Sequence, residues 1–357
     1  MEVKLDQRSR AALQFLGSTQ SFAGGTLQPI AARQYEQAVP EPPDTLAGRR
    51  ESVSEALDNS GAWRVDRLLT RWVAEEVYVR ALPAVERLRP EAQAWLADVD
   101  EAPGTLTLDP GLVPPSYWDS GFHLTPGGWD GHDLMGLTIH ELVYSYVLTP
   151  GGVGAVKTGE NLNDQRTQVA LEAHRDSYRR IVELGSGTGR YTFAVQRTYP
   201  TAEVIGVELS RTSLQYAHAV AASRELPIHW VQAAAEHTGL ESGSFDLVTF
   251  YTLMHEAPTK ANEEILDEAF RLLEPGGDLL IGEVAPWDKH TAFKSVVLDW
   301  ETENRGEPYW RDAMLMDLPG MLTRAGFTDI EAYGLGTNNY PWITRARKPV
   351  TADGKDA

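Results

Sequence analysis

"IVELGSGTGRYTFAVQRTYP", residues 181–200, sets three glycines at alternate positions between a short apolar run and a helix-like segment. A short apolar run that ends in a glycine turn and leads into an amphipathic stretch reads as strand, turn and helix. Gly185, Gly187 and Gly189 permit a tight turn and let a ligand come close to the backbone. A dinucleotide-binding turn of the form G-x-G-x-x-G would need a third glycine where this chain has Arg190.

Working outward, the same rhythm repeats. "AEVIGVEL" (202–209), "IHWVQA" (228–233), "FDLVTFYT" (245–252) and "DLLIGEV" (278–284) read as strands, and "RTSLQYAHAVAASREL" (211–226) as one of the helices between them. A late helix, "LPGMLTRAG" (318–326), and two further strands, 328–335 and 340–348, close the pattern. Apolar runs alternating with amphipathic helices predict an α/β fold, a doubly wound and mostly parallel seven-stranded sheet. Residues 1–100 carry apolar positions at three- and four-residue spacing, so they read as helices. A loop-rich aromatic stretch follows to about residue 155, then a helix near 162–177. The expected division is a helical, loop-rich N-terminal domain over 1–160, acting as substrate lid, and a ligand-binding domain over 161–357.

Composition narrows the function classes. Lys plus Arg total 32 against 51 Asp plus Glu, a formal charge of −19. Such a field repels phosphate backbones and anionic lipid, so neither nucleic acid nor membrane is expected as a partner. No run approaches the length of a membrane span, and the opening "MEVKLDQRSRAALQF" does not read as a signal peptide. With no cysteine there is no disulfide, thiolate ligand or thiol nucleophile. The expectation is a cytoplasmic protein acting on a small molecule, with a homodimer as one possible assembly.

In a doubly wound sheet the ligand lies beyond the carboxyl ends of the strands, over the first strand–helix turn. Glu208 ends the second strand 19 residues after Gly189, where a carboxylate accepts bonds from ribose hydroxyls. Taken together, "VELGSGTGR", "VIGVELS", "FDLVTFYTLMHE" and "AFRLLEPGGDLLIGE" resemble the class I S-adenosylmethionine-dependent methyltransferases, most of all the small-molecule branch. The resemblance covers 178 to about 285 and leaves 1–160 unexplained. It implies S-adenosyl-L-methionine as cofactor. Glu183 and the loop Gly185, Ser186, Gly187 and Gly189 would then face its methionine part, with Glu208 on the ribose and Leu209 on the adenine. Ala234 stands where the family often has an acid, which leaves adenine recognition to the backbone near Ala235 or to Glu236. Tyr251 and Thr252 would contact the methionyl part.

Such a cofactor supplies an electrophilic methyl, and the protein aligns the acceptor and manages its proton. His255 and Glu256, just past the fourth strand, are the catalytic candidates, with His255 as general base. The stretch 117–146 offers Trp118, His123, Trp129, Asp130, His132, Asp133 and Tyr144 as acceptor contacts on a loop. His123, Asp130, His132, Asp133, His140 and Glu141 also carry metal-ligand atoms, but no H-x-x-x-H or H-E-x-x-H pattern appears, and no metal is expected. Downstream, Trp287, Asp299, Trp300, Glu303, Glu307, Tyr309 and Trp310 either cage a cationic centre or bury a helix. Two other classes stay open: a nicotinamide-dependent oxidoreductase, which Arg190 disfavours, and a noncatalytic partner subunit of the same fold.

Overall fold

The central apolar runs read as strands, 181–184, 204–207, 245–251 and 278–283, are buried along most of their length, the mark of a sheet covered on both faces. The computed structural model describes residues 3–99, 101–148, 162–336 and 339–350. Its strands are β1 (Leu106–Thr107), β2 (Arg180–Leu184), β3 (Glu203–Glu208), β4 (Ile228–Gln232), β5 (Phe245–Tyr251), β6 (Leu273–Glu283), β7 (Thr328–Gly334) and β8 (Trp342–Arg347). They form one sheet in the order β1-β4-β3-β2-β5-β6-β8-β7, parallel except that β8 runs against both its neighbours.

Among the described residues, eight strands replace the expected seven. The extra one, β1, comes from the N-terminal half and adds to the edge of β4, with Leu106 opposite Trp230. The Trp230 N–H donates to Thr105 O at 2.8 Å. Two residues are too few to show alternation, so nothing in the sequence marks them.

The N-terminal third is helical: α1 (Gln7–Phe22), α2 (Gln28–Ala38), α3 (Leu46–Ala56), α4 (Gly61–Glu86) and α5 (Arg89–Ala97). Turns and short 3-10 pieces follow, until α6 (Met135–Leu137) runs on into a π-helical segment, Thr138–Leu148. This corrects the expectation of a loop over 117–146. Leu134, Met135, Leu137 and Leu142 are buried, and their cluster holds Leu13, Leu16, Val77 and Tyr78 together with Phe193, Leu214, Tyr216 and Trp230. One core therefore runs unbroken from α1 and α4 to one face of the sheet. The expected division near residue 160 falls outside the described residues.

Beyond it come α7 (Leu162–Ala170), α8 (Arg190–Thr198), α9 (Arg211–Ser223), α10 (Thr259–Leu272), α11 (Ala292–Asn304), α12 (Trp310–Leu315) and α13 (Leu318–Ala325). The helix expected over 162–177 stops at Ala170. On the sheet's other face a second core gathers Val182, Val207, Val248 and Ile281 with Ile265, Leu266 and Leu322 of α10 and α13. A third, smaller core joins α2, α3 and α11 through Tyr35, Val53 and Phe293. No described helix is long and apolar enough to cross a membrane.

Candidate functional site

The loop between β2 and α8 lies at the carboxyl end of the sheet, next to β3 and β5. Gly185, Gly187 and Gly189 all take positive φ, of 67°, 52° and 80°. That conformation suits glycine because it has no Cβ to clash. At Gly185 and Gly189 an added Cβ would strike Leu253 and Trp230, but at Gly187 it would meet nothing within 4 Å. The middle glycine therefore turns its bare face to open space. Glu208 reaches back to this point: the Gly187 and Ser210 N–H groups both donate to it at 2.8 Å. Its enclosure pushes the carboxyl up to about 7, against the pull of those two bonds.

Glu183 is buried beneath the loop and accepts from Thr192 Oγ1 at 2.5 Å. Burial pushes its pKa up to about 8. The buried Ser186 hydroxyl has no partner among the described residues. Leu209 is half-buried, Ala235 is buried, and one oxygen of Glu236 accepts from the Tyr117 hydroxyl while the other is buried without a partner. This set fits a nucleoside: an open backbone face, a carboxylate at the strand end and a free acceptor beyond it.

Tyr251 departs from expectation. Its hydroxyl donates to Gln165 at 2.8 Å and its ring lies under the Arg166 guanidinium, so its polar end ties α7 to the sheet and is not free for a cofactor. Thr252 holds a left-handed backbone (φ 56°), and its hydroxyl donates to the Tyr251 carbonyl.

Past β5, the backbone turns in a 3-10 piece, Met254–Glu256, which brings His255 beside the end of β6. His255 Nδ1 lies 2.7 Å from Glu283 Oε1, its Nε2 lies 3.4 Å from Glu256, and its ring tilts against Trp310 at 4.6 Å. Burial disfavours the charged ring, but Glu283 and Glu256 outweigh it and raise the pKa well above the ordinary histidine value. The two carboxylates favour the protonated ring, and the expected general-base role of His255 is a matter for proposal. Glu283 itself went unseen in the sequence. Its signal is positional: it ends the strand next to the one that leads into His255.

The residues of 117–146 divide. His123 joins the site, with Nε2 2.9 Å from Glu256 and Nδ1 2.8 Å from Glu307. Burial opposes its charging, yet the two carboxylates raise its pKa well above the ordinary value. Trp129 stands edge-on to it at 4.9 Å and stacks on Phe122, which Trp118 and Tyr309 also flank. Buried Phe122 is the hinge of this aromatic wall, and sequence reading passed over it. Tyr144 lies on the π-helical segment and covers the Arg190 guanidinium at 4.8 Å.

The rest have other work. Asp130 caps α9, accepting from Ser210 Oγ, Arg211 N, Thr212 N and Thr212 Oγ1. Asp133 pairs with Arg89, and His132 with Glu86, on the exposed edge of α4 and α5. These three therefore serve helix ends and surface pairing, which corrects their assignment to the acceptor. His140 bonds Thr188, and Glu141 takes the Tyr216 hydroxyl, so the six possible metal ligands of this stretch do not converge. Downstream, Asp299 and Glu303 pair with Arg50 and Arg311, while Trp287 and Trp300 lie against Arg49 and Arg67. Only Glu307, Tyr309 and Trp310 of that group reach the cluster around His123 and His255.

The comparisons with known proteins bear on the glycine loop and the sheet around it. Residues 181–277 match a family described as a methyltransferase domain. A demethylmenaquinone methyltransferase of Thermus thermophilus is 30% identical over 128 residues, 36% of this chain and 57% of its own. A trans-aconitate 2-methyltransferase of Deinococcus radiodurans is 30% identical over 182 residues, 50% of this chain and 66% of its own. The chain spans about half the length of the first curated relatives it matches. Among solved structures, phosphoethanolamine N-methyltransferase 2 of Haemonchus contortus, in complex with S-adenosyl-L-methionine, aligns with a TM-score of 0.47 at 16% identity. The alignment covers 68% of this chain and 61% of that one. The matched stretch runs from β2 through the glycine loop into β6, so residues 181–277, with the mostly parallel sheet they build, match a methyltransferase domain.

Proposed function

We propose that the whole chain moves the methyl group of S-adenosyl-L-methionine to a small metabolite held between the sheet and residues 117–129. The reading rests on one observation above all: Glu208 binds back to the Gly187 N–H beside a backbone face that no side chain fills. In this reading Gly185 to Gly189 and Glu183 flank the methionine part, and Glu208 takes the ribose hydroxyls. Leu209 and Ala235 pack against the adenine, and the unpartnered oxygen of Glu236 accepts from its amino group. When bound, this cofactor supplies the electrophilic methyl. The chain's own task is to hold an acceptor lone pair in line with it and to keep water out.

His255 and Trp310 form the acceptor-facing wall, with Glu283 fixing the imidazole through Nδ1. His123, Trp129 and Trp118 close the other side. The relatives named for demethylmenaquinone and trans-aconitate support a small acceptor. A cytoplasmic location belongs to the same reading, since the cosubstrate is an intracellular metabolite.

The test is calorimetric. Glu208→Ala removes charge-assisted bonds and is expected to weaken S-adenosylmethionine binding by about 2–4 kcal/mol, roughly 30- to 1,000-fold. Wild-type affinity in that variant would remove the ribose assignment. A mass-spectrometric screen for metabolites that gain a methyl group in the presence of cofactor and protein then identifies the acceptor.

A further inference from the structure

Two buried carboxylate oxygens at the acceptor wall have no partner among the described residues: Oε2 of Glu256 and Oε2 of Glu307. Glu307 is only 8% exposed. A carboxylate oxygen taken out of water without a partner is costly, so two carboxylates that meet at one imidazole and each keep such an oxygen call for a cation. The protein's own answer is partial: His123 lies between the two residues and contacts the other oxygen of each.

The chain assembles this cluster from three separate places. Glu256 follows β5, Glu307 follows α11, and His123 comes from the N-terminal half. A close backbone crossing holds the last two together. The His123 N–H donates to Gly306 O at 2.6 Å, and a Cβ at Gly306 would stand 2.9 Å from that nitrogen. Both His123 (φ 51°) and Leu124 (φ 56°) are kept in the left-handed region, a conformation that persists where the surroundings over-determine it. One imidazole nitrogen and one oxygen from each carboxylate lie within 4.8 Å of one another.

We propose that His123, Glu256 and Glu307 bind a first-row divalent cation of the Mn²⁺ or Zn²⁺ type. One nitrogen and two carboxylate oxygens are a donor set for such ions, whereas an all-oxygen shell would point to Mg²⁺ or Ca²⁺. Two carboxylates balance the ion's charge, and each keeps one oxygen that no other described group serves. Binding exchanges the proton that His123 shares with its neighbours for the metal, and that proton leaves to solvent. Three protein ligands would leave further coordination positions for water or an acceptor.

The class of acceptor follows: a small molecule with two adjacent oxygen donors, such as a hydroxyl or enol beside a carboxylate or carbonyl. For such an acceptor the ion favours loss of the hydroxyl proton to water. The oxygen lone pair then forms the new O–C bond, and the pair of the broken S–C bond stays on sulfur. What the ion does rests on the methyl-transfer reading; whether it binds does not.

The experiment titrates Mn²⁺ into the full chain after chelator treatment and follows the free-ion electron paramagnetic resonance signal. One ion per chain is expected, displaced by Zn²⁺. Glu307→Gln and His123→Asn should each weaken binding at least tenfold. Glu86→Gln, in the exposed Glu86–His132–Asp133 group that Arg89 already serves, should leave it unchanged. S-adenosylmethionine binding is measured on the same samples. Retained cofactor binding in the Glu307→Gln variant verifies its fold, so its metal titration can be read directly. If wild type takes up no stoichiometric ion, or if both site variants bind it normally, the metal site is wrong. Loss of cofactor binding in wild type would instead overturn the methyltransferase reading, and the titration would still decide this one.

Discussion

The stretch from β2 to β6 and the stretch from residue 103 to 148 reach the same cleft by opposite routes. In the first, every functional position is a consequence of chain direction. Parallel strands all end at one edge, so Glu183, the glycine loop, Glu208, His255 and Glu283 arrive together because each sits at or just past a strand end. In the second, residues 118–130 come from turns and short 3-10 pieces that set no common direction, and each side chain lies where a specific contact holds it. His123 reaches the site through one backbone crossing with Gly306, while Asp130, seven residues on, caps a helix instead. Periodicity predicts the first kind of placement. It is silent on the second.

The largest test of that contrast is to separate the two halves. The sequence invites a division near residue 160, but Leu134, Met135 and Leu142 share one core with Phe193, Leu214 and Tyr216 of α8 and α9. A fragment of residues 162–357 would expose that apolar face and leave the β4 edge unpaired. It is expected to lose cooperative thermal unfolding and to bind a hydrophobic dye. A fragment that unfolds cooperatively and binds S-adenosylmethionine would show the sheet to be self-sufficient, and the contrast would become one between two domains.

The next effect is a pH dependence inside the legible half. Burial raises Glu183 from 4.5 to about 8. Between those values the native chain binds more protons at this site than the unfolded chain does, so stability falls as pH rises through the window. The contribution is full below the unfolded value and gone above the folded one. Glu183→Gln keeps the acceptor for Thr192 and removes the titration. Its melting temperature should therefore decline less between pH 5 and 8 than that of wild type, the gap reflecting on the order of a few kcal/mol. Parallel melting curves across that range would mean that Glu183 is ionised in the folded protein.

How much was legible follows the same line. Seven strands, their order of appearance and the carboxyl-end position of the glycine loop follow from apolar runs alternating with helices. β1 did not follow, because two residues carry no period and its pairing with β4 spans more than a hundred residues. Glu183, Gly187 and Glu208 are brought together as strand-end logic requires. Tyr251 fails the same logic: the strand end is right, but a tyrosine's polar tip is decided by Gln165 and Arg166, which lie far away in the chain. The place of His255 past the fourth strand follows from position, but its contact with Glu283 does not, since Glu283 lies 28 residues on.

A smaller effect separates two aspartates that look alike in sequence. Asp130 accepts from both the Arg211 and Thr212 N–H groups and from the Ser210 hydroxyl, satisfying the open N-terminus of α9. Asp130→Ala is expected to cost about 1–2 kcal/mol of stability by denaturant unfolding, with wild-type cofactor affinity in the folded fraction. A stable variant that turns over poorly would return Asp130 to the acceptor.

Asp133 should give the smallest effect of all. Its carboxylate meets the Arg89 guanidinium through two bonds, of 2.6 and 2.9 Å, and geometry alone would rank that pair above the Asp130 cap. Exposure reverses the ranking. The Asp133 side chain is 58% exposed, so water already solvates it and salt screens it. Arg89 also keeps Glu86 as a second partner when Asp133 is lost. Exposed pairs of this kind contribute about 0–1 kcal/mol, and the retained Glu86 contact moves the expectation toward the lower end. Asp133→Ala should therefore leave the denaturant midpoint and turnover within error of wild type. Raising the salt should not separate the two proteins. A clear drop in turnover at unchanged stability would mean that the exposed edge of α5 reaches the acceptor after all, and that bond length had told more than burial.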